Sequence, residues 1–158
     1  MDIAAMLRAF CDAVEQRDGA RFAGLFREDG VYHDVFYGTF EGRPKIAAMI
    51  DDWFHRTASD FRWDMHEPVT DGRTLYARYT FSYRSLLPEA QGTRVVFEGV
   101  AIMTLVDGLI ATYREVADVG PAFAAMNFTA ERIAKLHARR DRALRAAPDF
   151  ARHVARAV

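Results

Sequence analysis

The segment 97–118 carries two apolar runs, FEGVAIMTLV and LIATYREVAD, on either side of Asp107-Gly108. An Asp-Gly pair between apolar runs is the strongest short-range signal for a tight β-hairpin, because both residues readily take the positive φ that the turn requires. The segment therefore predicts two long antiparallel strands. The second strand ends with two carboxylates, Glu115 and Asp118. A carboxylate on a buried strand can act as a general acid or base, and the alternative is a hairpin whose terminal charges are solvated.

An apolar alternation of period two begins at Phe61 and continues to the hairpin. It predicts long antiparallel strands, of which RTLYARYTFSYRSLL has the clearest pattern. One face of that strand is apolar and aromatic and requires a cover of helices. This face carries Leu75, Ala77, Tyr79, Phe81 and Tyr83. In the following strand both faces are apolar, so the second face, with Val96, Val100 and Ile102, predicts a homodimer through the sheet.

The segments before Phe61 have mostly helical spacing. The first predicted helix covers residues 2–17 and presents Ile3, Met6, Leu7, Phe10 and Val14. A shorter helix follows, and Asp29-Gly30 is predicted to turn the chain into a strand, VYHDVFYG. Pro44 suits the first turn of a third helix because it has no N–H to leave unpaired. The third helix carries Ile46, Met49, Ile50 and Trp53.

The sequence pattern of residues 119–158 predicts a helical tail with a weak apolar stripe and a solvated, arginine-rich face. The sequence therefore predicts an α+β domain over residues 1–118 and a helical C-terminal extension of the same domain over residues 119–158.

The composition limits the possible partners and compartments. The formal net charge is -1 over 158 residues, with both signs mixed along the chain, which argues against nucleic acid and membrane surfaces as partners. The single cysteine, Cys11, excludes an intrachain disulfide, and the N-terminus lacks the pattern of a signal peptide, so we expect a cytoplasmic protein. The sequence has no HExxH, CxxC or phosphate-cradling glycine loop, and we predict no metal and no nucleotide cofactor.

Two motifs resemble one superfamily. The segment GVYHDVFYGTFEGRPKI resembles a strand with an Asp followed by a helix start, and VDGLIATYREVAD resembles a closing hairpin, as found in the nuclear transport factor two-like superfamily. Its SnoaL-like and ketosteroid isomerase-like branches are nearest, and the resemblance covers residues 2–118. It implies a cone-shaped α+β fold, with three N-terminal helices packed on a curved, mostly antiparallel sheet and a pocket between them.

The resemblance carries over one catalytic position. Asp34 matches the general base of ketosteroid isomerases, which removes a proton next to a ketone. The two oxyanion donors of those enzymes, a Tyr on helix 1 and an Asp on the sheet, align with Phe10 and Ala101, which cannot donate a hydrogen bond. The acid of SnoaL-like cyclases also aligns with Ala101. The Arg-x-Asp motif of limonene epoxide hydrolases has only Arg78-Tyr79-Thr80 as a counterpart, so this activity is not expected.

Strand alternation completes the candidate site. If Ala101 faces inward, so do Tyr113 and Glu115 on the paired strand, while Asp34 and Tyr32 approach from the helical side. We predict Asp34, Tyr113 and Glu115 as catalytic residues. The predicted ligand-binding residues are Tyr32, Phe36, Trp53, His55, Tyr79, Phe81, Tyr83, Ala101 and Phe10. Such a pocket suits a small hydrophobic or aromatic molecule.

Two functions fit these residues. One is cofactor-independent proton transfer on a carbonyl compound, of the isomerase, cyclase or dehydratase type, with Asp34 as base and Tyr113 or Glu115 as donor or acid. The other is a non-catalytic dimeric module that binds a ligand or a protein. In that case Glu115 would pair with an arginine and Asp34 would cap a loop.

Overall fold

Six strands form one sheet in the computed structural model, which describes residues 2–155. The strands are β1 Phe26–Asp34, β2 Gly38–Glu41, β3 Ala58–Thr70, β4 Thr74–Ser85, β5 Arg94–Val106 and β6 Leu109–Asp118. Their order is β2-β1-β6-β5-β4-β3, with β1 parallel to β6 and every other neighbour antiparallel. The predicted α+β fold with a curved, mostly antiparallel sheet is confirmed.

The helices of the sheet-containing unit precede β1, connect β2 to β3, and follow β6. They are α1 Ile3–Glu15, α2 Gly19–Gly24, α3 Arg43–Ala48, a π-helical segment Met49–Phe54, α4 His55–Thr57 and α5 Gly120–Ala125. The Asp2 carboxylate caps α1 by accepting from the Ala5 N–H at 3.0 Å. Pro44 lies in the first turn of α3, as predicted.

The β5–β6 hairpin is confirmed. Val106 pairs with Leu109, and the two residues between them, Asp107 and Gly108, have φ of 51° and 80°. These positive φ values give the turn the twist of the two strands that it joins. The turn fixes the pairing only as far as Leu105 with Ile110. A register shift of one residue between Thr104 and Leu105 then pairs Ala101 with Glu115, where the turn alone would pair it with Arg114.

The turn predicted at Asp29-Gly30 is wrong. Both residues lie inside β1, where the register against β6 shifts between Phe26 and Val31. A Cβ at Gly30 would lie 2.9 Å from the Arg27 carbonyl oxygen, so the close backbone approach requires glycine. The Asp-Gly pair marks a bulge in this strand instead of a turn.

One face of the sheet holds the core beneath α1. The five residues predicted to share the covered face of β4 are all buried: Leu75, Ala77, Tyr79, Phe81 and Tyr83. Phe10 of α1 meets Trp63 of β3 edge to face, with 5.2 Å between the ring centroids. Aromatic rings in such a preferred geometry stabilise the core beyond the burial of their apolar surface.

The chain divides into two compact units between Met126 and Asn127, so α5 belongs with the sheet. The second unit contains α6 Ala130–Ala146, a 3-10 turn Pro148–Phe150 and α7 Ala151–Val154. Within α6, the ion pairs Lys135–Glu131 and Arg145–Asp141 join side chains one turn apart at 2.7 and 2.8 Å. Between residues 2 and 155, no helix has the length and apolarity needed to cross a membrane.

Candidate functional site

The parallel pairing of β1 with β6 brings the two central carboxyl groups together. Tyr32 pairs with Tyr113, and their rings stack with 4.4 Å between centroids and 10° between planes. Asp34 follows Tyr32 by two residues, and Glu115 follows Tyr113 by two. Because side chains two apart on a strand share a face, both carboxyl groups lie beyond the stacked tyrosines on the core side of the sheet.

Asp34 lies at the end of β1, where the chain turns towards β2. Its Oδ1 accepts hydrogen bonds from the backbone N–H groups of Phe36 and Tyr37, both at 2.8 Å. The predicted loop-capping contact therefore exists, and it occupies one of the two carboxylate oxygens. Burial raises the pKa of Asp34 to about 6, although the two backbone hydrogen bonds favour the ionised form.

Glu115 is a buried charged residue of the sheet, with 8% of its surface exposed. Its Oε2 accepts a hydrogen bond from the Tyr113 hydroxyl at 2.9 Å. Glu115 pairs with Ala101 on β5, and Ala101 pairs with Ala77 on β4. The side chains next to this carboxyl group across the sheet are therefore small. Burial, together with the nearby charge of Asp34, raises the pKa of Glu115 to about 7.

Neither carboxyl group forms an ion pair with a cationic side chain within residues 2–155. The alternative in which Glu115 pairs with an arginine is therefore not observed. Two carboxyl groups close together without a cation cannot both ionise easily, so the first to ionise raises the pKa of the second. Burial and this mutual repulsion make the pair keep a proton to a higher pH than two isolated carboxyl groups would.

Aromatic side chains surround this pair. The Tyr79 ring meets Trp63 and Phe97 edge to face, at centroid distances of 5.6 and 6.4 Å. Phe36 meets Phe97 edge to face at 5.8 Å, so it borders the same cluster. Phe81 also contacts Phe97, at 5.2 Å. These residues supply the apolar surroundings that the predicted ligand requires.

The contacts of three more predicted ligand-binding residues differ from those of the aromatic cluster. These residues are Tyr83, Phe10 and Ala101. The Tyr83 hydroxyl donates to the Met126 Sδ at 3.3 Å and so already has a partner. Phe10 is fully buried between Phe22 and Tyr113, with centroid distances of 4.6 and 5.3 Å. It borders the site through its contacts with Tyr113 and Trp63, while Ala101 pairs directly with Glu115.

The structure does not bring Trp53 or His55 to the carboxyl pair. Trp53 is 41% exposed and packs against Tyr37 and Phe40. It lies in the π-helical segment, whose wider turn alters the 3.6-residue spacing on which its prediction rested. His55 Nε2 lies 3.0 Å from the Val14 carbonyl oxygen, which ties the ring to the end of α1. Burial lowers the pKa of His55, so the ring is mainly neutral near neutral pH.

Two residues of the site were missed by sequence reasoning. Trp63 on β3 contacts the rings of Phe10, Tyr79 and Tyr113, and its Nε1 is buried without a hydrogen-bond partner in the described chain. The alternation of FRWDMHEPV carries the signal, because Trp63 shares a face with Phe61. Gly99 stands directly opposite Tyr79, and that pairing depends on a register that no local pattern reveals.

A groove of about 440 Å³ opens elsewhere on the sheet. Its lining residues are Arg62, Asp64, Thr80, Phe81, Ser82, Val96, Phe97, Glu98, Asp118 and Pro121. Most of them alternate with the buried residues of their strands and face outward, and neither carboxyl group of the pair belongs to the groove.

Comparisons with known proteins identify the family and the fold. The family model of the SnoaL-like domain matches residues 7–113. The chain is similar to a Catenulispora acidiphila hypothetical protein of ketosteroid isomerase-like fold, solved in complex with trimethylamine, at 15% identity over 80% of this chain and 95% of that chain, with a TM-score of 0.70. It is similar to TsrD from Streptomyces laurentii at 20% identity over 82% and 99%, with a TM-score of 0.68.

An M. tuberculosis LEH-like epoxide hydrolase is also similar, at 19% identity over 85% of this chain and 94% of that chain, with a TM-score of 0.62. At these identities the likeness shows the fold alone. A search of curated proteins finds no match.

Proposed function

Since the chain belongs to the SnoaL-like domain family, we propose that it transfers a proton on a small hydrophobic or aromatic carbonyl compound without a cofactor. Asp34 acts as the base and Glu115 as the acid. The observation that carries the proposal is the pair of carboxyl groups on neighbouring strands, both with pKa raised towards neutrality and neither paired with a cation.

The expected chemistry follows from this charge state. The ionised Asp34 takes a proton from the carbon next to the carbonyl group, and the protonated Glu115 donates to the carbonyl oxygen, which gives an enol. In an unsaturated ketone, Asp34 returns its proton at another carbon while the enol proton goes back to Glu115, which completes an isomerisation. In a β-hydroxy ketone, the hydroxyl group leaves as water with the proton from Asp34 while the enol proton goes back to Glu115, which completes a dehydration. A positioned base or acid contributes about 10²–10⁴-fold in rate, and its pKa works best near the operating pH.

Hydrogen exchange at the carbon next to a ketone tests this proposal without knowledge of the natural substrate. The protein is mixed with acetophenone or 1-tetralone in D2O, and loss of the α-hydrogen signal is followed by NMR. We expect the wild-type protein to accelerate exchange and Asp34→Asn to lose at least about 100-fold of that acceleration. Asp64→Asn is the matched control, because Asp64 is an exposed carboxylate on β3.

The amide oxygen introduced by Asp34→Asn can still accept the two loop hydrogen bonds, so this variant tests the base with little change in the loop. Equal exchange in Asp34→Asn and Asp64→Asn, or no acceleration by the wild-type protein, would refute the proton-transfer function.

A non-catalytic binding module is the second candidate. It is favoured by the loop-capping role of Asp34 and by the apolar residues Phe10 and Ala101 at the positions where the resemblance places donors. Under this function the ketones bind and quench tryptophan fluorescence, but the α-hydrogens exchange no faster than in buffer.

We also propose a homodimer through the outer face of the sheet. This face carries apolar side chains with large exposed fractions: Tyr76 46%, Val96 53%, Val100 38% and Val116 62%. Val100 and Val116 are paired neighbours, so the patch continues from β5 to β6. Sedimentation velocity should show a dimer for the wild-type protein and a monomer for Val116→Glu. A wild-type monomer at micromolar concentration would contradict the proposed dimer.

A further inference from the structure

The Tyr79 hydroxyl is a buried donor that lies beside Glu115 but makes no hydrogen bond of normal geometry in the described chain. Tyr79 is 0% exposed, and its Oη makes no hydrogen bond of acceptable geometry with any residue between 2 and 155. Burial of a hydroxyl group without a partner opposes folding, and native proteins keep few such groups. The site therefore holds a donor that an acceptor on a bound molecule could satisfy.

Gly99 fixes the position of this hydroxyl. It pairs with Tyr79 across the β4–β5 ladder, and a Cβ at Gly99 would lie only 2.6 Å from the Tyr79 Oη and 2.6 Å from the Val116 carbonyl oxygen. Any side chain at position 99 would displace the phenol or the strand. The absence of a side chain lets the ring fold across β5, so the oxygen is held by the backbone of a rigid sheet.

The hydroxyl lies within electrostatic reach of the carboxyl pair. Burial, the charge of Glu115, the interaction of the phenol with the Glu115 carboxyl group and the charge of Asp34 all raise the pKa of Tyr79, so the phenol keeps its proton throughout the physiological range. It is thus available as a neutral donor at any pH at which Asp34 can act as a base. A carbonyl oxygen has two lone pairs and can accept from Tyr79 and from protonated Glu115 together.

We propose that Tyr79 donates a hydrogen bond to the carbonyl oxygen of the ligand beside Glu115. This inference rests on the proposed function, because it places the carbonyl group between Glu115 and Tyr79 and the adjacent C–H at Asp34. Tyr79 on β4 is thus a second donor beside Glu115. Phe10 and Ala101, which align with the donors of ketosteroid isomerases, cannot donate a hydrogen bond.

Infrared spectroscopy of bound, carbonyl-¹³C acetophenone tests the inference. A hydrogen bond lowers the carbonyl stretching frequency, so we expect a lower frequency in the wild-type complex than in Tyr79→Phe. The affinity should fall by about threefold to tenfold in Tyr79→Phe, the range of one neutral hydrogen bond. Tyr76→Phe is the matched control, because it removes an exposed hydroxyl from the outer face of the same strand. It should leave the frequency unchanged.

Unfolding in urea without ligand gives an independent readout. Because the hydroxyl that is lost makes no normal hydrogen bond in the described chain, the urea concentration at the unfolding midpoint of Tyr79→Phe should equal or exceed that of the wild-type protein. A lower midpoint would show that Glu115 already accepts from Tyr79 in the free protein, and this would overturn the inference.

The outcomes separate the two proposals. An unchanged carbonyl frequency in Tyr79→Phe, with Asp34-dependent exchange retained, would overturn the role of Tyr79 alone. A frequency that depends on Tyr79 without any exchange would support the donor and refute the proton transfer. Failure of the wild-type protein to bind acetophenone would contradict both.

Discussion

Replacement of Glu115 by Gln should stabilise the protein at neutral and alkaline pH. The pKa of Glu115 rises from 4.5 to about 7 on folding, which corresponds to about 3 kcal/mol at about 1.4 kcal/mol for each unit. Because the folded-state pKa exceeds the unfolded-state value, the folded state binds more protons between these limits. The free energy of unfolding of the wild-type protein therefore falls by this amount as the pH rises from about 4.5 to 7, whereas that of the variant does not.

Urea unfolding followed by circular dichroism at pH 4 and pH 8 measures this difference. The amide oxygen introduced by Glu115→Gln can still accept from the Tyr113 hydroxyl, but the buried NH₂ group costs about 1 kcal/mol at both pH values if it has no acceptor. At each pH, the unfolding free energy of the wild-type protein is subtracted from that of the variant. This difference should be about 2–3 kcal/mol more favourable to the variant at pH 8 than at pH 4. The difference between the two proteins removes the contribution of every titratable group remote from Glu115, whereas Asp34 is coupled to Glu115 and its altered proton affinity is part of the measured difference.

Glu98→Gln provides the control, because Glu98 is an exposed carboxylate on the outer face of β5. Its unfolding free energy relative to the wild-type protein should change by less than about 0.5 kcal/mol over the same pH range. An equally small change in Glu115→Gln would refute the reasoning, since the folded protein would then hold Glu115 with an ordinary proton affinity.

Three further predictions concern packing and reactivity. Gly99→Ala should lower the unfolding free energy by about 1–3 kcal/mol through overlap with Tyr79, whereas Gly24→Ala, in open space, should be neutral or slightly stabilising, as urea titration would show. Phe10→Ala should cost about 3–5 kcal/mol in the same assay, and a loss below about 1 kcal/mol would contradict its place in the core. Burial raises the pKa of Cys11 to about 12, so the thiol should resist a disulfide reagent at pH 8 until urea unfolds the chain; immediate modification would contradict this.

Local periodicity explains why much of the sheet could be predicted from sequence. Alternation within one strand places Tyr113 and Glu115 on the same face, and the Asp-Gly turn pairs Val106 with Leu109. These relations involve residues close in sequence. The sequence does not show the register shift beyond Leu105 that brings Ala101 opposite Glu115. The order of the six strands and their mixed direction do not follow from any of these local patterns.

The contacts that make the candidate site are not local. Asp34 and Glu115 meet only because β1 pairs in parallel with β6, which lies at the other end of the sheet-forming sequence. The spacing of Trp53 suggested an inward position, but the π-helical segment changed the phase of the helix. The missing partner of Tyr79 follows from packing in three dimensions, which no residue pattern shows.

Site-resolved titration of the carboxyl groups by ¹³C NMR tests the central claim, that Asp34 and Glu115 share one proton near neutral pH. Asp34→Asn and Glu115→Gln assign the two resonances. In the wild-type protein, the side-chain carboxyl carbons should titrate near pH 6 and pH 7, with Glu115 at the higher value, and Asp34→Asn should lower the pKa of Glu115. Ionisation of both groups below pH 5, or a Glu115 titration that Asp34→Asn leaves unchanged, would contradict the claim.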